Sequence, residues 1–158
     1  MLHRHSLLIA LALTVACAHE APPPATSSAD LLRVPVRTLD GRTTDLAALA
    51  KGRVMVASLW APWCEACRQE EPALRRLNQL AISRGDFVLV SIAIGTTAQE
   101  IAADTPPYPR LVDTGAFAEV GHRRVPSTLV IDATGHTVFE GGALDGAALD
   151  ARTKALAR

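Results

Sequence analysis

The chain carries no excess of either charge sign: 16 Lys and Arg stand against 16 Asp and Glu in 158 residues. Binding to nucleic acid calls for a basic excess or a basic stripe, so no nucleic-acid partner is expected. No apolar run reaches the ~20 residues that a membrane-spanning helix needs. A G-x-G-x-x-G element is absent, so nothing reads as a nicotinamide or flavin site. There is no internal repeat and only one linker-like segment, which leaves a single folded unit. Cysteine is scarce too, with three residues. For an exported protein that odd number leaves one thiol to be explained.

Export is what the first residues suggest. Arg4, flanked by two histidines, precedes Leu7 to Ala16, an apolar run interrupted only by Thr14. A short basic region followed by a short apolar one reads as a secretory signal over residues 1–16. Leu13-Thr14-Val15-Ala16-Cys17 then resembles a bacterial lipobox, with Thr14 where such motifs usually carry Leu. Cleavage before Cys17 would leave a lipidated cysteine, whereas the A-x-A pattern Ala16-Cys17-Ala18 would allow ordinary cleavage after Ala18. The cysteine's position favours the lipoprotein, and lipidation of Cys17 leaves the other two cysteines as a pair. Residues 17–30 follow as a tether. The stretch His19 to Asp30, rich in Pro, Ala and Ser, has no hydrophobic period and reaches at most about 40 Å when extended.

Residues 31–158 are expected to fold as one domain. Arg33 to Thr38 reads as a strand, Asp40-Gly41 as a turn, and Thr43-Thr44 as a return strand. Asp45 to Ala50 suggests a helical turn. Arg53 to Trp60 and Phe87 to Ile94 are near-continuous apolar runs, the mark of buried central strands. Between them, Ala73, Leu74, Leu77, Leu80 and Ala81 recur at helical spacing over residues 64–83. A short helix over Ala98 to Ala103, a strand over Arg110 to Val112 and a helical turn over Ala116 to Val120 follow. Ser127 to Asp132 and Thr137 to Glu140 make a hairpin, and an amphipathic helix runs from Asp145 or Gly146 to Ala157. The pattern is an α/β fold with a mixed central sheet and helices on both faces.

Cys64 and Cys67 stand where the first buried strand gives way to the long helix. A helix N-terminus presents unpaired N–H groups and about half a positive charge, so a thiolate on Cys64 is stabilised there. Cys67, one turn on, is placed beneath it to resolve a mixed disulfide. A structural bond between residues three apart would remove little chain entropy. Zinc would need two further ligands, for which only His122 and His136 are candidates in the folded domain.

With Trp63-Cys64-Glu65-Ala66-Cys67 after a buried strand, and Val125-Pro126-Ser127-Thr128 entering a hairpin, the chain resembles the thioredoxin superfamily. The run Leu59-Trp60-Ala61-Pro62-Trp63-Cys64, the continuation Cys67-x-x-Glu70-x-Pro72 and the N-terminal hairpin resemble its TlpA-like, membrane-tethered reductases, including those of cytochrome c maturation. That resemblance implies a thioredoxin-like fold and a cis Pro126 facing the redox pair. Val125, Pro126 and Trp63 would meet an extended substrate. It also implies a buried Glu70 doing acid–base work for the inner thiol, since Ser58 stands where thioredoxins proper carry an acid. Pro72 should kink the helix.

The expected activity is protein-disulfide reduction in the bacterial cell envelope, with no cofactor beyond the redox disulfide itself. Partners would be envelope protein dithiols and disulfides, and a membrane thiol–disulfide transporter would supply electrons. With no segment long enough for a dimerisation domain, a monomer is expected. A thiol peroxidase of similar fold is one alternative, although Ala61 stands where peroxiredoxins place Thr. A copper carrier is another, although those resemble C-x-x-x-C rather than C-x-x-C.

Overall fold

In a computed structural model, residues 31–103 and 105–142 are described. The signal segment, Cys17, the tether and the C-terminal helix expected from residue 145 or 146 lie outside them. The elements run β1 (Pro35–Thr38), β2 (Thr43–Asp45), α1 (Leu46–Ala50), β3 (Val54–Trp60), α2 (Glu65–Arg84), β4 (Phe87–Ala93), α3 (Ala98–Ile101), β5 (Arg110–Asp113), α4 (Ala116–Glu119), β6 (Ser127–Ile131) and β7 (Thr137–Gly141). One seven-stranded sheet takes the order β2-β1-β5-β4-β3-β6-β7. The three strands β3, β4 and β5 are parallel, and the β1–β2 and β6–β7 hairpins pair antiparallel at either side. This is the mixed α/β thioredoxin-like architecture anticipated above.

The two apolar runs become the sheet's centre because both of their faces are covered. All seven residues of β3 are buried. One face packs Met55, Ala57, Leu59, Val90, Ile92, Leu129 and Ile131 against Val36, Leu46 and Phe117. The other packs Val54, Val56, Leu89 and Val130 under Leu74, Leu77 and Ala81 of α2.

Two segments depart from their sequence reading. Arg33 and Val34 belong to a turn rather than to β1, closed by the Val34 N–H donating to the Leu31 carbonyl at 3.1 Å. Leu31 and Val34 are both buried, an i, i+3 pair that a turn and not an extended strand brings to one side. On α2 the buried stripe is Cys67, Glu70, Leu74, Leu77, Asn78 and Ala81; Ala73 and Leu80 are only half-buried. The helix thus turns two polar residues inward, and Asn78 donates to the Pro107 carbonyl at 3.1 Å. Pro72 sits inside α2, which continues through it as one element to Arg84 and ends on Gly85 in the left-handed region at φ 74°.

The β6–β7 turn is built on Asp132. Its Oδ1 accepts from the Thr134 N–H at 2.9 Å, the Thr134 hydroxyl at 2.7 Å and the His136 N–H at 2.9 Å. Partial burial pushes this carboxyl up, but those bonds together with nearby His136 outweigh it and hold the group below its ordinary value. A depressed folded value means that the contribution is present above the ordinary carboxylate range, about 3.9, and lost as pH falls through the folded one. Asp132→Ala is therefore expected to cost about 1 kcal/mol at pH 7, with the gap closing in acid. Urea melts of both proteins at neutral pH and near pH 2.5 check this; a gap of the same size at both would be inconsistent with it.

Candidate redox site

The C-terminal end of β3 delivers the chain into Ala61-Pro62-Trp63, and Cys64 caps α2. Its backbone is extended at φ −85°, ψ 101°, and its sulfur accepts the Cys67 N–H at 3.2 Å. An amide that would otherwise be an orphan of the helix N-terminus is therefore aimed at Cys64 Sγ, and the macrodipole adds to its effect on any negative charge there. The two cysteines form a disulfide, with Sγ–Sγ at 2.09 Å and Cα–Cα at 5.3 Å.

An outer nucleophile above an inner resolver is not what the exposures show in this closed pair, for both cysteines are 6% exposed. Their difference is electrostatic and positional. Cys64 holds the cap, whereas Cys67 lies on the inward stripe of α2 and lines a cavity of about 280 Å³. Glu65, whose carboxylate would repel a thiolate on its neighbour, is engaged by Arg68, whose guanidinium donates to a Glu65 carboxylate oxygen at 3.1 Å and to the Pro62 carbonyl at 2.8 Å. That pairing reduces the repulsion. Trp63 stands 70% exposed beside the pair while Trp60 is buried.

Across from the cysteines, the Val125–Pro126 peptide bond is cis. Pro126 leads directly into β6, whose Ser127 is level with Leu59 near the end of β3. The proline therefore lies at the same end of the sheet as Cys64. Val125 packs against the apolar cluster that contains both cysteines. A groove of about 460 Å³ continues from Pro126 past His122, Arg123 and Arg124 to Glu140.

Glu70 is 7% exposed on the inward face of α2, not among the solvated charges of its neighbours. Ser58, at the position where thioredoxins proper carry an acid, is 1% exposed. It belongs to a polar row that sequence reading missed. Thr128, Ser58, Ser91 and Arg110 are Cα partners in turn across β6, β3, β4 and β5. Partners on adjacent strands share a face, so the row crosses the sheet beneath α2 at one level. Ser91 and Thr128 are each 1% exposed, and among the described residues neither hydroxyl oxygen has a hydrogen-bond partner. The signal was present, since Ser58 and Ser91 each interrupt an otherwise apolar run.

Arg110 closes that row. Its side chain is 3% exposed and pairs with Glu71 at 3.4 Å, while its guanidinium lies 4.1 Å from the centre of the Trp60 ring. Tyr108 donates its hydroxyl to Glu71 at 2.6 Å, and burial together with that bond pushes the phenol well above its usual range. Among the described residues, no three His, Cys, Asp or Glu side chains are grouped to hold a metal ion.

A strand–helix unit with a cysteine pair at the helix cap, opposed by a cis proline, defines a thioredoxin-like thiol–disulfide oxidoreductase. Comparison with known proteins agrees: the chain belongs to the Redoxin family, whose model matches residues 20–141. It is 31% identical over 106 residues to the thioredoxin-like protein YneN of Bacillus subtilis, an alignment covering 63% of this chain and 62% of that one. The chain thus spans less than two thirds of that relative. Among solved structures it resembles dsbF of MTB (27% identity, TM-score 0.65, covering 80% of this chain and 96% of that one). It also resembles a secreted Mycobacterium tuberculosis disulfide oxidoreductase homologous to E. coli DsbE (25% identity, TM-score 0.63, covering 80% and 98%).

Proposed function

We propose that this chain is an exported reductase of protein disulfides, held in the bacterial cell envelope by a lipid on Cys17. The observation that carries the reading is the Cys64 cap, where the Cys67 N–H meets Cys64 Sγ opposite cis Pro126. In the forward half-reaction the Cys64 thiolate attacks one sulfur of a substrate disulfide. A mixed disulfide forms and the first substrate thiolate leaves. Cys67 then gives up its proton and attacks Cys64 Sγ, closing the internal disulfide and releasing the second substrate thiolate. The substrate gains two electrons that the dithiol loses, so no further cofactor is required. A membrane thiol–disulfide transporter would restore the dithiol. Export is supported by the signal-like residues 1–16 and by the secreted M. tuberculosis relative.

Direction follows from what surrounds the cysteine. Strong oxidants draw their power from a very stable reduced form, built with extra donors beside the thiolate. Here Ala66 offers none, and Glu65 is a carboxylate turned to Arg68. The couple is therefore expected nearer the thioredoxin value of about −270 mV than the oxidant value of about −120 mV. Equilibration against glutathione buffers measures it, and a potential above about −180 mV would overturn the reductase while leaving the oxidoreductase intact.

Glu70 is assigned the proton of Cys67. It lies three residues on, on the same buried stripe of α2, where i and i+3 side chains are neighbours. Glu70→Gln should slow resolution of a mixed disulfide by about 10²-fold and remove a titration from its pH profile. An unchanged profile with an unchanged rate would end this assignment.

A further inference from the structure

We infer that the groove leading from Pro126 is a docking site for an acidic segment of the substrate protein, next to its reactive cysteine. This deepens the proposed function and rests on it. The groove, of about 460 Å³, begins at the redox site's cis proline, for Pro126 belongs to its wall. Three consecutive residues that precede Val125-Pro126 line it: His122, Arg123 and Arg124. The two arginines are exposed.

The charge is organised rather than merely present. Among the described residues the one carboxylate on the wall, Glu140, is engaged by His122 at 3.1 Å. Arg123 is held by its Nε–H, which donates to the Ala118 carbonyl at 3.0 Å. Such anchoring reduces the side-chain freedom lost when a carboxylate is bound. With Glu140 directed to the histidine, the unengaged charge that the described residues present to solvent here is that of the two guanidiniums.

Position turns this patch into a specificity device. An extended substrate pairing its backbone beside a cis proline runs along the chain that precedes it. Its residues flanking the attacked cysteine would then pass Arg124 and Arg123. Arginine forks bind carboxylates in two-point fashion, so Asp or Glu one to three residues from that cysteine is the matching chemistry. Because the arginines are exposed, the effect belongs to encounter and orientation and is screened by salt.

Two peptide disulfides of one sequence, with Asp and Glu or with Lys and Arg flanking the cysteine, test the inference on the full chain. The acidic peptide is expected to be reduced with about tenfold higher kcat/KM at low salt, the ratio shrinking toward unity in 0.5 M salt. In Arg123→Gln/Arg124→Gln the ratio should approach one, and in Arg123→Glu/Arg124→Glu it should invert. Far-ultraviolet dichroism and the urea midpoint would establish that both variants fold. A ratio near one in the wild type, or one unmoved by charge reversal, would overturn the docking site. So would a charge reversal that abolished binding to vesicles of anionic lipid and left the peptide ratio alone, for the patch would then face a membrane. Reduction of the uncharged bis(2-hydroxyethyl) disulfide by the wild type separates the two proposals. Its failure sinks the oxidoreductase reading, whereas its success beside a flat peptide ratio sinks only the docking site.

Discussion

Cys64→Ser abolishes disulfide exchange, and Cys67→Ser accumulates mixed disulfides with substrate proteins; these are the largest expected effects on activity. Both follow from the cap. With the Cys67 N–H directed at Cys64 Sγ, negative charge is stabilised on the first sulfur and not on the second. Removing Cys64 leaves no activated nucleophile. Removing Cys67 lets the first attack proceed and leaves nothing to reverse it. Since both residues are 6% exposed when paired, accessibility alone gives no reason for one to react faster. In the reduced protein, alkylation of Cys64 by iodoacetamide is nevertheless expected to be about tenfold faster at pH 7. Equal rates for the two thiols across the pH range would refute the assignment of roles.

The largest effect on stability is expected at Arg110. Its side chain is 3% exposed and pairs with Glu71, which also holds Arg75 at 3.0 Å and receives the Tyr108 hydroxyl at 2.6 Å. Breaking a buried pair from one side costs about 3–5 kcal/mol, because the remaining charge stays in place without its partner. Glu71 keeps Arg75, so Arg110→Met belongs at the lower end, about 3 kcal/mol including the lost stacking on Trp60. Adding Glu71→Met removes the stranded charge and should return about 1–2 kcal/mol. The recovery stays incomplete because the Tyr108 hydroxyl loses its acceptor, at about 1 kcal/mol. Urea unfolding of the two single variants and the double variant closes the cycle. A double variant no more stable than Arg110→Met alone would mean that the pair is not what the methionine disturbs.

Sequence and structure agree where the pattern reports burial directly. Val54 to Trp60 and Phe87 to Ala93 are apolar almost throughout, and nothing but a covered central strand suits them. The cysteine motif was equally legible, since its chemistry needs only a strand, a helix cap and a spacing of three. The Arg110–Glu71–Tyr108 group was not. Charged residues are read as surface by default, and a part-buried pair separated by 39 positions leaves no trace in local periodicity. Tyr108 is further masked by Pro106 and Pro107, which read as a breaker and give no hint that the next side chain turns inward. Glu70 shows the intermediate case. Its burial was expected only through a resemblance, because beside Arg68, Gln69 and Glu71 its own neighbourhood suggests a solvated helix face. The inward turn of Asn78 had no sequence signal either; it depends on the Pro107 carbonyl, 29 positions away.

The direction of β1 decides how the domain can be held. Because β1 runs antiparallel to β5, with Val36 opposite Asp113, the chain enters the sheet at the end from which Cys64 emerges. The order β1-β5-β4-β3 puts three interstrand spacings, about 14 Å, between the entry point and the redox strand. Leu31 and Val34, buried at that entry, clamp the incoming segment to the core. A pull delivered through the preceding residues, as the proposed tether would deliver it, would therefore act at the redox end of the sheet. Swivelling about the proposed tether would sweep Cys64 through a small arc near the chain's entry, while the opposite end of the sheet would swing through the wide one.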